Sequence, residues 1–423
     1  MLILEADRSQ GLSAFFMSAT NKHRRQAVQP VISSQFDSGN IEVVDSSQHE
    51  NIRLRIRTDA ESNFLQWFHF HASGLSGQKN TFVLENAGAT TYPEGWEHYH
   101  VVCSVDRQTW MRVPSEFDGT RLCWSTEADI DNMWFAYFAP YSLEQHADLI
   151  SAAALAPGVH HGVLGLTHQG RGIDYLNVSP LTESDLAANE VSKSGASARA
   201  QLWIIARQHP GESMAEWFVE GLLGRLLDPD DATSYALRQL ADIHIVPNMN
   251  PDGSFLGHLR TNALGVNLNR EWAEPSEERS PEVFHVLERM QQTGITLALD
   301  VHGDEALPYN FIAGTEGVNS WTDDRNRELL NFKHTWTSIN PDFQDHHGYP
   351  INQPGKANMT ICSNQLAEQF NCLAMTLEMP FKDTANAPRP SSGWSPERSV
   401  RLGASFVDVV YLALTKRLLA KGS

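Results

Sequence analysis

The chain has 423 residues, 41% hydrophobic and 20% charged, which is enough apolar material for full cores and too much for a chain dominated by disorder. Its 32 Lys and Arg against 51 Asp and Glu leave a formal charge of −19 with no long basic run, the wrong balance for a nucleic-acid partner. Four scattered cysteines without a C-x-x-C spacing argue against a thiolate zinc site or a disulfide framework. No stretch reaches the ~20 apolar residues that span a bilayer, and the first residues lack a signal-peptide pattern. The expectation is a cytoplasmic protein with no membrane partner. Oligomerisation is not readable.

At roughly 100–200 residues per domain, two domains are expected. Residues 1–31 are polar and aperiodic and read as a flexible N-terminal extension. Strand-like patterning follows. Ile52-Arg53-Leu54-Arg55-Ile56 alternates strictly, and short apolar runs recur at residues 64–70, 81–84, 99–103 and 133–138. Turn residues such as Ser73-Gly74 and Asp118-Gly119 lie between them. This spacing predicts an antiparallel β-sandwich domain over residues 32–141. His69, His98 and His100 fall at strand spacing there and read as structural or surface residues.

Near Ser142 the period changes. Helical spacing over residues 143–154 is followed by apolar runs at 202–206, 243–246, 295–299 and 373–377. Helical stretches alternate with them, such as residues 214–227, and a long helix over 397–419 closes the chain. The pattern predicts an α/β domain with a mixed central sheet over residues 142–423.

Ligands in open α/β sheets bind beyond the C-terminal ends of the strands. The four apolar runs lead into Arg207-Gln208-His209-Pro210-Gly211-Glu212, Asn248-Met249-Asn250-Pro251-Asp252-Gly253, Asp300-Val301-His302-Gly303-Asp304 and Glu378-Met379-Pro380. Metal-binding residue types thus collect at one predicted sheet edge. His209 and Glu212, three residues apart, share a turn, and His302 would complete a His/Glu/His set with a coordination position left for water, as a catalytic zinc requires. H-x-x-E alone is a weak signal. His285-Val286-Leu287-Glu288 repeats it on a predicted helix after Pro281, where a solvated face is the better reading. Pro210-Gly211 sets the first copy apart by forcing a tight turn. Asn-Pro-Asp-Gly also reads as turn chemistry, while Arg270 beside Asn269 could clamp a carboxylate.

The ordered series H-P-G-E, N-P-D-G, G-H-L-R ending at Arg260, N-L-N-R-E-W, D-x-H-G and T-L-E resembles the zinc metallocarboxypeptidases. The closer likeness is to their cytosolic carboxypeptidase branch, which carries a β-sandwich domain before the peptidase domain. The resemblance covers roughly residues 32–415. It implies one zinc ion per chain on His209, Glu212 and His302, Glu378 as general base and acid, and Arg260 at the oxyanion. It also implies that Asn269 and Arg270 hold the terminal carboxylate of a peptide or protein C-terminus. Members of the family use a loop tyrosine, for which Tyr349 is the candidate within a substrate-binding rim over residues 345–364. Eukaryotic members trim glutamates from acidic tails, and Lys356 is the candidate cation for such a side chain. Two alternatives remain open: an N-acyl amino acid amidohydrolase of the same fold, and a catalytically silent binding protein.

Overall fold

Alternation at Ile52-Arg53-Leu54-Arg55 places Ile52 and Leu54 in the core with no exposed surface and turns Arg55 to solvent. Short strands of this kind build the N-terminal part of the computed structural model, which describes residues 29–127, 129–180 and 199–421. The extension expected over residues 1–31 lies outside the described residues as far as residue 28, and Val31 already opens the first strand. Ten strands follow in order: β1 (Val31–Ser33), β2 (Glu42–Asp45), β3 (Ile52–Arg55), β4 (His69–Ser73) and β5 (Lys79–Leu84), then β6 (Val101–Ser104), β7 (Met111–Val113), β8 (Ser115–Phe117), β9 (Leu122–Glu127) and β10 (Met133–Ala136).

They form two five-stranded sheets, β1-β4-β10-β6-β7 and β2-β3-β5-β9-β8. Pairing is antiparallel except between β3 and β5. Aromatic side chains close the space between the sheets: Phe82 of β5 lies 4.7 Å from Phe135 of β10 and 6.0 Å from Phe70 of β4, ring centre to ring centre. The apolar run at residues 64–70 joins the ladder only from His69. Before that point Gln66 and Trp67 spend their polar groups elsewhere, on Tyr92 and Ser38.

The second half begins where Ser142 caps α1 (Leu143–Ala154) in a capping box with Gln145. There follow β11 (Val159–Leu166), β12 (Gly172–Val178), β13 (Ala200–Ala206), α2 (Met214–Leu226), α3 (Ala232–Leu240) and β14 (Ala241–Val246). Next come α4 (Pro251–Leu256), α5 (Pro281–Thr293), β15 (Leu297–Asp304), β16 (Phe311–Ala313) and α6 (Asp323–Ile339). The chain ends with α7 (Cys362–Phe370), β17 (Leu373–Pro380) and α8 (Pro396–Lys421). The sheet is mixed, in the order β11-β12-β14-β13-β15-β17-β16. Its four central strands, β14, β13, β15 and β17, run parallel.

Helix α8 crosses α2 at glycine: a Cβ on Gly403 would meet Phe218 O at 1.9 Å, and one on Gly221 would meet Val400 O at 1.8 Å. Asn-Pro-Asp-Gly proves to be a helix start. Asn250 Oδ1 accepts from Gly253 N at 3.0 Å, and the buried Asp252 pairs with Arg171 at 2.7 Å. All four cysteines are free. Among the described residues no helix is long and apolar enough to cross a membrane.

Candidate active site

After β13 the backbone turns sharply. Arg207, fully buried, adopts a left-handed φ of 59°, which costs a residue with a side chain roughly 1–2 kcal/mol. Its own guanidinium holds it there: Nε donates to Pro210 O at 2.9 Å, Nη1 donates to Tyr141 O at 2.8 Å, and an ion pair joins it to buried Glu216. His209-Pro210-Gly211-Glu212 therefore leaves the sheet edge as a fixed turn, as its sequence predicts.

Across from this turn, β15 delivers His302. Its Nδ1 lies 2.7 Å from Glu212 Oε2, while His209 Nδ1 lies 2.7 Å from Glu212 Oε1, and the two Nδ1 atoms are 3.1 Å apart. All three residues are buried, and their ligand atoms lie within 4.8 Å of one another. The outer ring nitrogens are engaged with acceptors, His302 Nε2 with Asp300 Oδ2 at 2.9 Å and His209 Nε2 with Asn267 Oδ1 at 3.1 Å. With those protons donated outward, a neutral ring turns its Nδ1 lone pair inward. Burial, with Arg260 beside it, lowers the His209 pKa to about 4, so that ring is neutral at pH 7. Burial opposes the charge on His302, but Asp300 and Glu212 outweigh it and raise its pKa well above the ordinary imidazole value, so a cation bound here would take the place of that proton. Two imidazoles and a carboxylate converging in a dry site suit a divalent cation that accepts nitrogen ligands. The donor set and the carboxylate behind His302 fit zinc. Gly303 is small for a reason: its Cβ would stand 2.6 Å from Met214 Sδ, where β15 passes the start of α2.

Glu378 is the cross-strand partner of His302 in the β15–β17 ladder. The apolar runs at 295–299 and 373–377 predict strands that stop short of both residues. Instead the ladder between the two strands runs on to Asp304 and Pro380. Burial, opposed by His302 and reinforced by Glu212, Asp304 and Glu305, pushes the Glu378 carboxyl well above the usual carboxylate range. One oxygen, Oε2, is buried without a hydrogen-bond partner.

The three candidate ligands, Glu378, Arg260, Asn269, Arg270 and Tyr349 all face one cavity of about 640 Å³. Arg260 and Arg270 have no carboxylate within 4.0 Å among the described residues. Burial works against the Arg260 charge, but Tyr92, Glu305, Glu212 and Glu378 outweigh it and raise its pKa. Arg270 is anchored through Nη1 to Asn269 O at 2.6 Å, and Asn269 Oδ1 accepts from Cys362 N at 2.8 Å. Tyr349 is 45% exposed on the rim, yet its hydroxyl reaches inward and donates to Asp304 Oδ2 at 2.5 Å.

Lys356 is not brought in. It is exposed, its backbone N bonds to Gln353 O at 3.0 Å, and it does not line the cavity. The decoy His285 also lies elsewhere, 3.9 Å from Glu277. The cavity wall carries residues that motif reading misses: Lys333 of α6, Glu305 just after β15, and Tyr92 and Glu94 from the β-sandwich; Asp304, quoted with the His302 segment but given no role, lines it too. Lys333 had a readable signal, because it sits on the same helical stripe as the buried Leu329, Phe332 and Trp336. Tyr92 had none.

Residues 32–138 match the cytosolic carboxypeptidase N-terminal domain, and residues 147–384 match the zinc carboxypeptidase family. An uncharacterized protein of Zymomonas mobilis is 44% identical over 90% of this chain and 95% of its own length. The metallo-carboxypeptidase from Burkholderia cenocepacia superposes with a TM-score of 0.86 at 42% identity, covering 92% of this chain and 100% of that one. The metallo-carboxypeptidase from Pseudomonas aeruginosa, solved in complex with (2-guanidinoethylmercapto)succinic acid, gives a TM-score of 0.85 at 43% identity, covering 91% and 100%. The chain thus belongs to the zinc carboxypeptidase family, in the branch with a cytosolic carboxypeptidase N-terminal domain, and is a metallocarboxypeptidase.

Proposed function

We propose that this protein is a zinc-dependent carboxypeptidase that releases the last residue of a peptide or protein tail. One observation carries the reading: a three-donor metal cluster, a neighbouring buried carboxylate and two guanidinium groups without carboxylate partners share a single cavity. Residues 142–423 would be the catalytic domain, with residues 32–141 contributing part of the cavity wall.

One zinc ion per chain would be held by His209 and His302 through Nδ1 and by Glu212. When bound, it supplies Lewis-acid polarisation of the scissile carbonyl and acidifies water near neutral pH. Glu378 takes a proton from the attacking water as its oxygen bonds to the carbonyl carbon. The same carboxyl returns that proton to the nitrogen as the C–N bond breaks, a task its raised pKa suits. Arg260 offers a fixed cation to the oxygen that gains charge, where a preorganised donor in a dry site is worth far more than water. Asn269 and Arg270 hold the terminal carboxylate, the guanidinium in two-point fashion. Only a chain end presents that group, so the cleavage is exopeptidic.

Acidic tails are the proposed substrates, with Lys333 in the role that Lys356 does not fill. Lys333 lines the cavity and has no ion-pair partner within 4.0 Å among the described residues. Burial lowers its pKa, and Glu316 and Asp345 limit the fall.

A panel of peptides differing only in the last residue, with an N-acyl amino acid for comparison, tests the reading. Glu378→Gln is expected to lower kcat by about 10²–10⁴ while retaining one zinc per chain. Release that survives chelation, or faster turnover of the acyl amino acid than of any peptide, would overturn it.

A further inference from the structure

Arg260 belongs to the catalytic half of the chain, but what holds it comes from the other half. The loop between β3 and β4 carries Asp59, 1% exposed, and three successive backbone N–H groups converge on its carboxylate. Leu259 N donates to Oδ1 at 2.6 Å, and Arg260 N and Thr261 N donate to Oδ2 at 2.8 and 3.0 Å. Thr261 Oγ1 adds a fourth bond to Oδ2 at 3.0 Å. On either side the clamp continues: Ala60 N donates to His258 Nε2 at 3.0 Å, and Asn40 Nδ2 donates to Gly257 O at 2.8 Å. Gly257 permits the approach, since with φ at 69° its Cβ would stand 2.7 Å from Ser38 O.

The guanidinium is guided from the same side. Its carbon lies 5.7 Å from the centre of the Phe64 ring and 5.5 Å from that of Tyr92, both residues of the β-sandwich. Aromatic faces attract a cation without occupying its N–H donors in a planar fork. A carboxylate partner would aim the side chain equally well, but it would neutralise the charge that the reaction uses. Clamping the backbone and stacking the head group leaves both charge and donors available to substrate.

We infer that Asp59 is a positioning residue for catalysis: through the backbone of residues 259–261 it sets Arg260 where the oxyanion forms, which makes the β-sandwich part of the catalytic apparatus. This rests on the role proposed above for Arg260. Because a misplacement of ~1 Å can cost ~10²-fold in rate, the clamp has leverage that a mere domain contact lacks. Asp59→Asn keeps the size and one acceptor oxygen but sets an NH₂ group against the N–H donors.

The test is a double-mutant cycle in the full chain, with zinc content and thermal melting measured on every variant. Asp59→Asn is expected to lower kcat about 10–100-fold with KM within about twofold and zinc retained, because an interaction made only in the transition state acts on kcat. In an Arg260→Ala background the same change is expected to cost less than about twofold. An equal loss in both backgrounds would show that Asp59 acts on the fold at large, and would overturn the inference. An Arg260→Ala enzyme with undiminished kcat would instead overturn the role of Arg260, a distinct result. Should Asp59→Asn not fold, Thr261→Val removes a single bond to the same carboxylate. It is then expected to lower kcat several-fold only where Arg260 is present, and an effect independent of Arg260 would overturn the inference.

Discussion

Asp300 stands two residues before His302 on β15, and the period of two in a strand turns both side chains to one face. Its Oδ2 meets His302 Nε2 at 2.9 Å and accepts from Gln208 Nε2 at 2.7 Å, while Trp272 Nε1 donates to the other end of Gln208 at 2.8 Å. The tryptophan of N-L-N-R-E-W is thereby tied to the orientation of a candidate ligand, which neither motif states. Asp300→Asn is expected to weaken zinc binding about 10–100-fold, read from competition with a chelator of known affinity. At the far wall, Lys333→Ala is expected to lower kcat/KM about tenfold for a peptide ending in Glu and to leave a peptide ending in Leu within twofold. Equal losses on both peptides would remove Lys333 from specificity. Its place on a buried helical stripe was legible, whereas the cavity at that stripe was not, since α6 meets the sheet only through the fold.

Elements carry the next layer. The register of β15 against β17 pairs His302 with Glu378, so two residues 76 positions apart are set side by side by backbone hydrogen bonds alone. Below the H-P-G-E turn, α1, α2 and β12 meet in a buried charge cluster. His146 Nδ1 lies 2.6 Å from Glu216 Oε1, its Nε2 lies 3.1 Å from Asp174 Oδ2, and Arg207 pairs with the other Glu216 oxygen. Burial opposes the charge on His146, but Glu216 and Asp174 outweigh it and raise the pKa to about 9. A pKa raised above the unfolded value of about 6.5 contributes stability that is fully present below about pH 6.5 and is lost as pH rises through about 9. Thermal melting is therefore expected to fall between these limits. His146→Gln should flatten that part of the profile, and an unchanged slope would assign it to other groups.

For the molecule as a whole, a metal that binds only the folded chain adds to its stability by mass action. With free zinc at about a thousand times its dissociation constant, the gain is about 4 kcal/mol. Chelation is expected to lower Tm by about 5–10 °C, reversibly on adding zinc back. An unchanged Tm would count against a bound metal. Much of this architecture is local and was therefore open to reading. Alternation with period two marks β3, short apolar runs between turn residues mark other sandwich strands, a capping box opens α1, and a turn that needs Pro210-Gly211 sets His209 beside Glu212. Ordered motifs carried the family, because each is a short stretch whose chemistry constrains its own residue types. What local pattern cannot encode is which distant surfaces meet. That Lys356 stays outside while Lys333 turns inward depends on how α6 packs against the sheet. That a carboxylate at residue 59 grips the backbone at 259–261 depends on two domains closing on each other. Such contacts arise from burial and hydrogen bonding between segments hundreds of residues apart, and no window of sequence contains both partners.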